Sequence, residues 1–245
     1  MNKLYLFAIS HFCEKGRWAL DYFGVDYEPV YLVPGLHAGW ARKHGLSEST
    51  LPVLEVGGEW IQGSSQIIDW AEKNTNSGRT LTPQAHKDEL LAIEKRLDDL
   101  SGVHTRRMLY AHTITKNPKR IRDNFLRDLE GSDALKLKLM WPVVRRVMIK
   151  KMDIGDAQGQ ESKSIVQQEL EWLNQTLCDQ QRFLLGDSFT RADLTMSALY
   201  ARFATPPQHP FVDYMQTPPG LEDFYASWLG QAVMDRIAAN YREYR

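Results

Sequence analysis

The sequence predicts an α+β protein of two domains, with an α/β domain of about 75 residues preceding an all-helical domain of about 160 residues. Three observations lead to this prediction. Residues 1–32 have the pattern strand, helix, strand, and two apolar runs then flank the dipeptide Gly57-Gly58. Beyond the polar segment at residues 74–80, apolar residues recur only at helical spacing.

The first element is a buried strand that leads directly into a helix. Residues 4–9 are apolar and end at a Ser10-His11 turn, after which apolar residues follow at helical spacing. Gly16 within this helix costs about 1 kcal/mol relative to alanine, which indicates close backbone packing or a loose helix. Residues 27–32 predict a parallel return strand, and Pro29 places it at a sheet edge or makes it start late because proline cannot donate to a central ladder.

A tight hairpin and a third helix complete the first domain. Residues 51–56 and 59–61 are apolar runs around Gly57-Gly58, where both turn residues can adopt positive φ. The hydroxyls of Ser64 and Ser65 are expected to cap the helix that follows.

The remaining chain has the periodicity of helices. Thr190 and Asp193 have the spacing of a capping box, and Pro142 is expected to kink or end the helix that contains it. Helices are expected over residues 90–110, 118–152, 165–177, 191–204 and from 221 towards the end, with loops at 156–160 and 205–220.

Composition excludes several classes of function. The chain is 43% hydrophobic and 25% charged, and its 30 Lys and Arg against 31 Asp and Glu give a net charge of -1. This balance gives no reason to expect a nucleic acid or an anionic membrane as partner. Cys13 and Cys178 are too far apart for a disulfide framework or a metal cluster. Because residues 1–4 lack the features of a signal peptide, we expect a cytoplasmic protein.

Ser10 and Cys13 lie in the strand-to-helix turn, at the positive end of a helix. A hydroxyl or thiol in this position can donate to a nearby thiolate, or lose its own proton more easily than in water. The alternative is that Ser10 is only an N-cap and Cys13 a small buried residue, and the turn alone leaves both interpretations open.

Four stretches, taken in order, resemble the cytosolic glutathione transferase superfamily, and the serine turn resembles its zeta, theta and omega-like members. They are the Ser10 turn with its helix, Leu51-Pro52-Val53-Leu54, Ser64-Ser65-Gln66-Ile67-Ile68, and residues 186–193 with the capping box. The resemblance implies a thioredoxin-like domain at residues 1–76, a linker at 77–86 and an all-helical domain at 87–245. It also implies an enzyme that activates the thiol of glutathione, its co-substrate, and transfers it to a small hydrophobic electrophile. We further expect a homodimer without metal, nucleic acid or membrane.

The resemblance also assigns roles to individual residues. Ser10 would donate to the glutathione sulfur, and Leu51, which precedes a cis Pro52, would pair with the tripeptide through its main chain. Ser65 at a helix N-terminus would hold the γ-glutamyl carboxylate. Ser64 replaces the acidic residue usual in the family, and Lys43 or His44 would substitute electrostatically for the lysine or glutamine that Thr50 replaces. The predicted electrophile pocket comprises His11, Phe12, Arg106 and Tyr110.

Two other functions stay open. The departures at His11, Thr50 and Ser64 are compatible with a non-catalytic binding or scaffold protein. Cys13 would alternatively serve as the nucleophile of a glutathione-dependent thiol reductase if its thiolate were exposed, although serine at position 10 excludes a dithiol cycle between these two positions. Cys178 is interpreted as a packing residue.

Overall fold

The computed structural model describes residues 1–178 and 181–245, which form two compact units. The first unit comprises residues 1–77 and 113–155, and the second comprises residues 78–112 and 156–245. Residues 113–155 therefore cluster with the N-terminal segment, and the domain limits at residues 76 and 87 stay a prediction. The side chain of Cys178 lies outside the described part of the chain.

A four-stranded mixed sheet forms the centre of the first unit. Its elements are β1 (Asn2–Leu6), α1 (His11–Phe23), β2 (Tyr27–Tyr31), α2 (His37–Lys43), β3 (Val53–Val56), β4 (Glu59–Gln62) and α3 (Ser64–Asn74). The strand order is β2-β1-β3-β4, with β1 and β2 parallel and the other pairs antiparallel. This confirms the predicted parallel return, the position of Pro29 in an edge strand, and the hairpin, whose Gly57 and Gly58 have φ of 56° and 90°.

Helix α1 packs against α3 and the start of β3. Trp18, Ala19 and Leu20 are fully buried, and the Gly16 backbone approaches Pro52 so closely that a Cβ would lie 2.9 Å from Pro52 Cγ and 3.4 Å from Ile67 Cδ1. Of the two interpretations of Gly16, close packing is therefore the one the structure supports.

All remaining elements among the described residues are helical. They are α4 (Lys87–Arg96), a π-helical segment (Leu97–Gly102), α5 (Val103–Thr113), α6 (Pro118–Leu126), α7 (Gly131–Lys151), α8 (Asp156–Cys178), α9 (Arg191–Ala204), α10 (Glu222–Ala226) and α11 (Ala232–Tyr244), with short 3₁₀ turns at Gln84–His86 and Val212–Tyr214. None of the described helices is both long and apolar enough to span a bilayer.

The predicted capping box at the start of α9 is confirmed. Asp193 accepts hydrogen bonds from the Thr190 backbone N–H at 3.0 Å, the Thr190 hydroxyl at 2.6 Å and the Leu184 N–H at 2.8 Å. Complete burial raises the pKa of the Asp193 carboxyl to about 6, although these hydrogen bonds oppose the shift.

Three boundaries differ from the prediction. Pro142, which was expected to kink or end its helix, does not end it, because it lies on the exposed side of α7, where water can bond the carbonyl that loses its N–H partner. The break falls earlier, before Gly131, which has φ of 53°. Residues 156–160 are helical rather than a loop, because Gly159 lets α8 approach α5: a Cβ there would lie 2.5 Å from Ala111 Cβ. The last predicted helix is two helices, α10 and α11.

Replacing Gly16 by alanine is expected to destabilise the protein by about 1–2 kcal/mol, because the clash of the new methyl group with Pro52 outweighs the gain in helix propensity. Gly39→Ala in α2 is the matched control, since nothing lies within 4 Å of its Cβ position. That variant is expected to gain about 0.5–1 kcal/mol. Urea unfolding measures both changes, and equal effects of the two substitutions would contradict the proposed packing.

Candidate functional site

Ser10 is the N-cap residue of α1. Its φ of -84° and ψ of 121° are extended, and its Oγ accepts a long hydrogen bond from the Cys13 N–H at 3.4 Å. The side chain is half-buried, and the hydroxyl also lies within hydrogen-bonding reach of the Cys13 thiol. A partly exposed hydroxyl therefore lies at the N-terminus of α1, where the helix dipole stabilises negative charge.

Cys13 lies one turn further along α1 and faces the core. Its side chain is fully buried. Burial raises the pKa of the thiol to about 11, and the hydrogen bonds from Ser10 and the Phe7 backbone reverse this shift only in part. An exposed thiolate, which the reductase hypothesis requires, does not fit this position.

The loop before β3 contains a cis peptide bond between Leu51 and Pro52, as the resemblance implied. The Gln62 side chain holds this loop by donating to the carbonyls of Glu48 and Thr50, both at 2.9 Å. The Gly63 N–H donates to the Pro52 carbonyl, also at 2.9 Å. The main-chain N–H and C=O of Leu51 form no hydrogen bond with any residue that the structure describes. The half-buried Leu51 backbone is thus suited to pair with an extended peptide.

Helix α3 begins beside this loop, with Gly63 rather than a serine at the N-cap position. The expectation that Ser64 and Ser65 cap the helix is therefore wrong in detail, since both are already helical residues. Gly63 has φ of 106°, where an L side chain is strained. Ser64 is buried, whereas Ser65 is half-buried at the first turn of the helix.

Lys15 of α1 extends to this helix start. Its side chain is fully buried, and its Nζ donates a hydrogen bond to Ser65 Oγ at 3.0 Å. Because an ammonium group is only a donor, the Ser65 oxygen is the acceptor in this hydrogen bond. The N–H groups at the start of α3, the Ser65 hydroxyl and the Lys15 charge together favour an anion at this position.

Sequence reasoning did not find Lys15. The available signal was its neighbour Gly16, because close backbone packing, one of the two interpretations of that glycine, would place this part of α1 against another element. A lysine next to such a contact is buried, and a buried ammonium group requires an acceptor. No periodicity argument, however, would have named Ser65 as that acceptor.

His44 lies in an aromatic cluster with Tyr5, Trp40 and Trp60. Its ring centroid is 4.8 Å from that of Trp40 and 4.7 Å from that of Trp60, and its Nδ1 lies 2.8 Å from the Trp40 carbonyl. Since a carbonyl only accepts, Nδ1 carries the hydrogen in this arrangement. The role of His44 as a basic substitute stays a prediction.

The residues predicted to line the electrophile pocket lie in both units. His11 and Phe12 lie in the first turn of α1, with ring centroids 4.6 Å apart. Arg106 and Tyr110 lie one turn apart on α5, and burial lowers the pKa of the Arg106 guanidinium. The neighbouring Arg107 donates to Ser162 Oγ at 2.6 Å. The pocket role of the four residues stays a prediction.

No group of three or more His, Cys, Asp or Glu side chains among the described residues is arranged to hold a metal ion.

Comparison with known proteins agrees with the fold. Residues 4–80 match the family model described as the glutathione S-transferase N-terminal domain. No curated protein matches the sequence.

Solved structures are similar over nearly the whole chain. A glutathione S-transferase of Ceriporiopsis subvermispora in complex with glutathione has a TM-score of 0.67 at 13% identity, covering 100% of this chain and 97% of that one. The transferase GSTFuA3 of Phanerochaete chrysosporium has a TM-score of 0.65 at 14% identity, with coverage of 100% and 97%. The beta-etherase LigF of Sphingobium sp. strain SYK-6 has a TM-score of 0.60 at 19% identity, with coverage of 98% and 99%. Residues 4–80 are thus a glutathione S-transferase N-terminal domain, and the chain as a whole has the fold of the glutathione transferases.

Proposed function

We propose that this protein is a glutathione transferase that binds glutathione at the Leu51–Ser65 edge of the first unit and activates its thiol. Two neighbouring features carry the proposal. The Leu51 main chain takes no part in the hydrogen bonds of the sheet, and the Ser65 hydroxyl accepts a hydrogen bond from Lys15. These two features match two parts of glutathione, the main-chain N–H and C=O of its central cysteinyl residue and the carboxylate of its γ-glutamyl residue. A similar structure with bound glutathione supports the same assignment.

The chemistry follows from these positions. The Leu51 N–H and C=O pair with the cysteinyl residue of the tripeptide, while Ser65, Lys15 and the start of α3 hold the γ-glutamyl carboxylate. The Ser10 hydroxyl donates to the sulfur and stabilises the thiolate, whose proton passes to solvent. The thiolate then attacks an electrophilic carbon and forms a C–S bond, and the electron pair displaced from that carbon leaves with the departing group or is protonated.

Glutathione binding is expected to weaken about tenfold or more in Ser65→Ala, because the variant loses a hydrogen bond to a charged group. Lys15→Met is expected to weaken binding to a similar degree while keeping the length of the side chain, since it removes the positive charge beneath the carboxylate. Ser47→Ala, at an exposed serine of the same unit, is the matched control and should bind like the wild type. Calorimetry measures all four proteins side by side.

A wild-type protein that ignores glutathione at several millimolar would contradict the transferase proposal and favour the scaffold alternative. Equal binding by wild type, Ser65→Ala and Lys15→Met would instead show that glutathione binds elsewhere.

Ser10→Ala is expected to leave glutathione affinity nearly unchanged and to raise the pKa of the bound thiol by about one unit or more, since the thiolate loses one donor. At neutral pH, the rate of conjugation to a model electrophile should fall about tenfold or more. The pH dependence of thiolate absorbance in the complex measures the pKa directly. An unchanged pKa in Ser10→Ala would contradict the assigned role of this residue.

Cys13 distinguishes the proposal from the reductase alternative. In a Cys178→Ser background, alkylation of Cys13 in the folded protein at pH 8 should be about 100-fold slower than that of a thiol with the ordinary pKa of 9.0, because a pKa of about 11 leaves less thiolate. The alkylation rate should still rise about tenfold for each pH unit up to pH 10. A rate that is already constant from pH 8 to pH 10 would reveal a low-pKa thiolate and favour the reductase.

Dimer formation belongs to the proposal as well, because the resemblance implies a homodimer. A mass of 28.3 kDa by light scattering, which is the mass of one chain, would contradict the proposed dimer.

A further inference from the structure

Helix α7 has a row of aliphatic side chains that face solvent. Leu135, Leu139, Val143 and Val147 are 56%, 73%, 59% and 45% exposed. They are spaced four residues apart, so they lie along one side of the helix over about 18 Å. This set of four residues is the α7 ridge.

The exposed side chains of the ridge do not belong to the hydrophobic core. The opposite side of α7 is already packed, with Leu137, Trp141, Val144 and Met148 buried. Trp141 contacts Phe125 of α6 with ring centroids 6.5 Å apart. The helix is therefore held by one face, and its other face is free to contact a second surface.

The charges around the ridge are nearly all positive. Helix α7 contains six basic residues and one acidic residue, Asp133. The exposed cations of α7 are Lys136, Lys138, Arg146, Lys150 and Lys151. Lys136 pairs with Asp133 at 2.7 Å, whereas Lys138, Arg146 and Lys150 form no ion pair with any residue that the structure describes.

The net charge of the whole chain does not reveal this local excess of positive charge. The net charge of the chain is -1, yet residues 113–155 contain eleven Lys and Arg against five Asp and Glu. The expectation that the protein has no anionic membrane as partner rests on the net charge of the whole chain. The excess of positive charge, however, lies in the same segment as the exposed aliphatic side chains.

We propose that the α7 ridge docks on the surface of a membrane that contains anionic phospholipids. The aliphatic side chains would enter the boundary between headgroups and acyl chains, while the flexible Lys and Arg side chains extend back to the phosphates. Each cation near such a surface contributes about fivefold in the partition coefficient. The helix lies on the membrane and does not cross it.

Charge and shape favour a lipid surface over the other possible occupants. Two copies of α7 packed against each other would bring like charges together, which opposes self-association through this face. A partner protein would need a preformed groove for side chains as exposed as Leu139, at 73%, whereas a fluid lipid surface accommodates them without one.

Flotation of the full chain with vesicles tests the proposal. We expect binding to vesicles of phosphatidylcholine with phosphatidylserine at low salt, weaker binding at high salt, and little binding to phosphatidylcholine alone. The double variant Arg146→Glu with Lys150→Glu should lose at least about 25-fold in partition coefficient. Leu139→Ser with Val143→Ser should lose about tenfold.

Leu229→Ser is the control, since Leu229 is 65% exposed outside α7 and its loss should not affect flotation. Absence of binding to anionic vesicles at low salt would overturn the proposal, as would binding that the α7 variants leave unchanged. Light scattering in parallel would overturn it by detecting a dimer that the ridge variants dissociate. Binding of an acidic amphipathic helical peptide through the ridge, without vesicle binding, would also overturn it and assign the surface to a protein partner.

Discussion

The contact between Gly16 and Pro52 is the constraint on which the arrangement of the site depends. A Cβ at position 16 would lie 2.9 Å from the proline ring, so only a glycine lets α1 approach the loop before β3 this closely. Because α1 is one continuous helix from His11 to Phe23, this contact fixes Ser10 at its start and directs Lys15 to Ser65. Helix α1 thereby links the three parts of the candidate site, which are Ser10, the loop before β3 and the start of α3 at Ser65.

The buried ammonium group of Lys15 is the most informative part of this arrangement. A charge removed from water is costly unless it is hydrogen-bonded and offset by opposite charge. Its hydrogen bond to Ser65 supplies one acceptor and holds the ammonium group beside the start of α3. Lys15 and Ser65 are thus already held in place relative to each other, which reduces the cost of ordering these side chains when a ligand binds.

Local patterns of the sequence predicted most of the fold, whereas contacts between distant segments were not predictable from it. The Gly57-Gly58 hairpin, the edge position of Pro29 and the Thr190–Asp193 box depend on a few neighbouring residues, and all three are confirmed. Gly159 contacts Ala111, about 50 residues away in the sequence, and without that contact a loop was predicted in place of the start of α8. Lys15 bonds to Ser65, also about 50 residues away, and for that reason it was missed as a site residue. For the same reason the glutathione-binding roles of Ser10, Leu51 and Ser65 follow from the family resemblance, and not from periodicity.

A crystal structure of the chain grown with glutathione is the most direct test of the central claim, that Leu51 and the Ser65–Lys15 pair form one peptide-binding edge. We predict that the cysteinyl N–H and C=O of glutathione bond to the Leu51 main chain and that the γ-glutamyl carboxylate accepts a hydrogen bond from Ser65. The sulfur should lie within hydrogen-bonding distance of Ser10. Glutathione bound away from Leu51, or with its carboxylate remote from Ser65, would contradict the account.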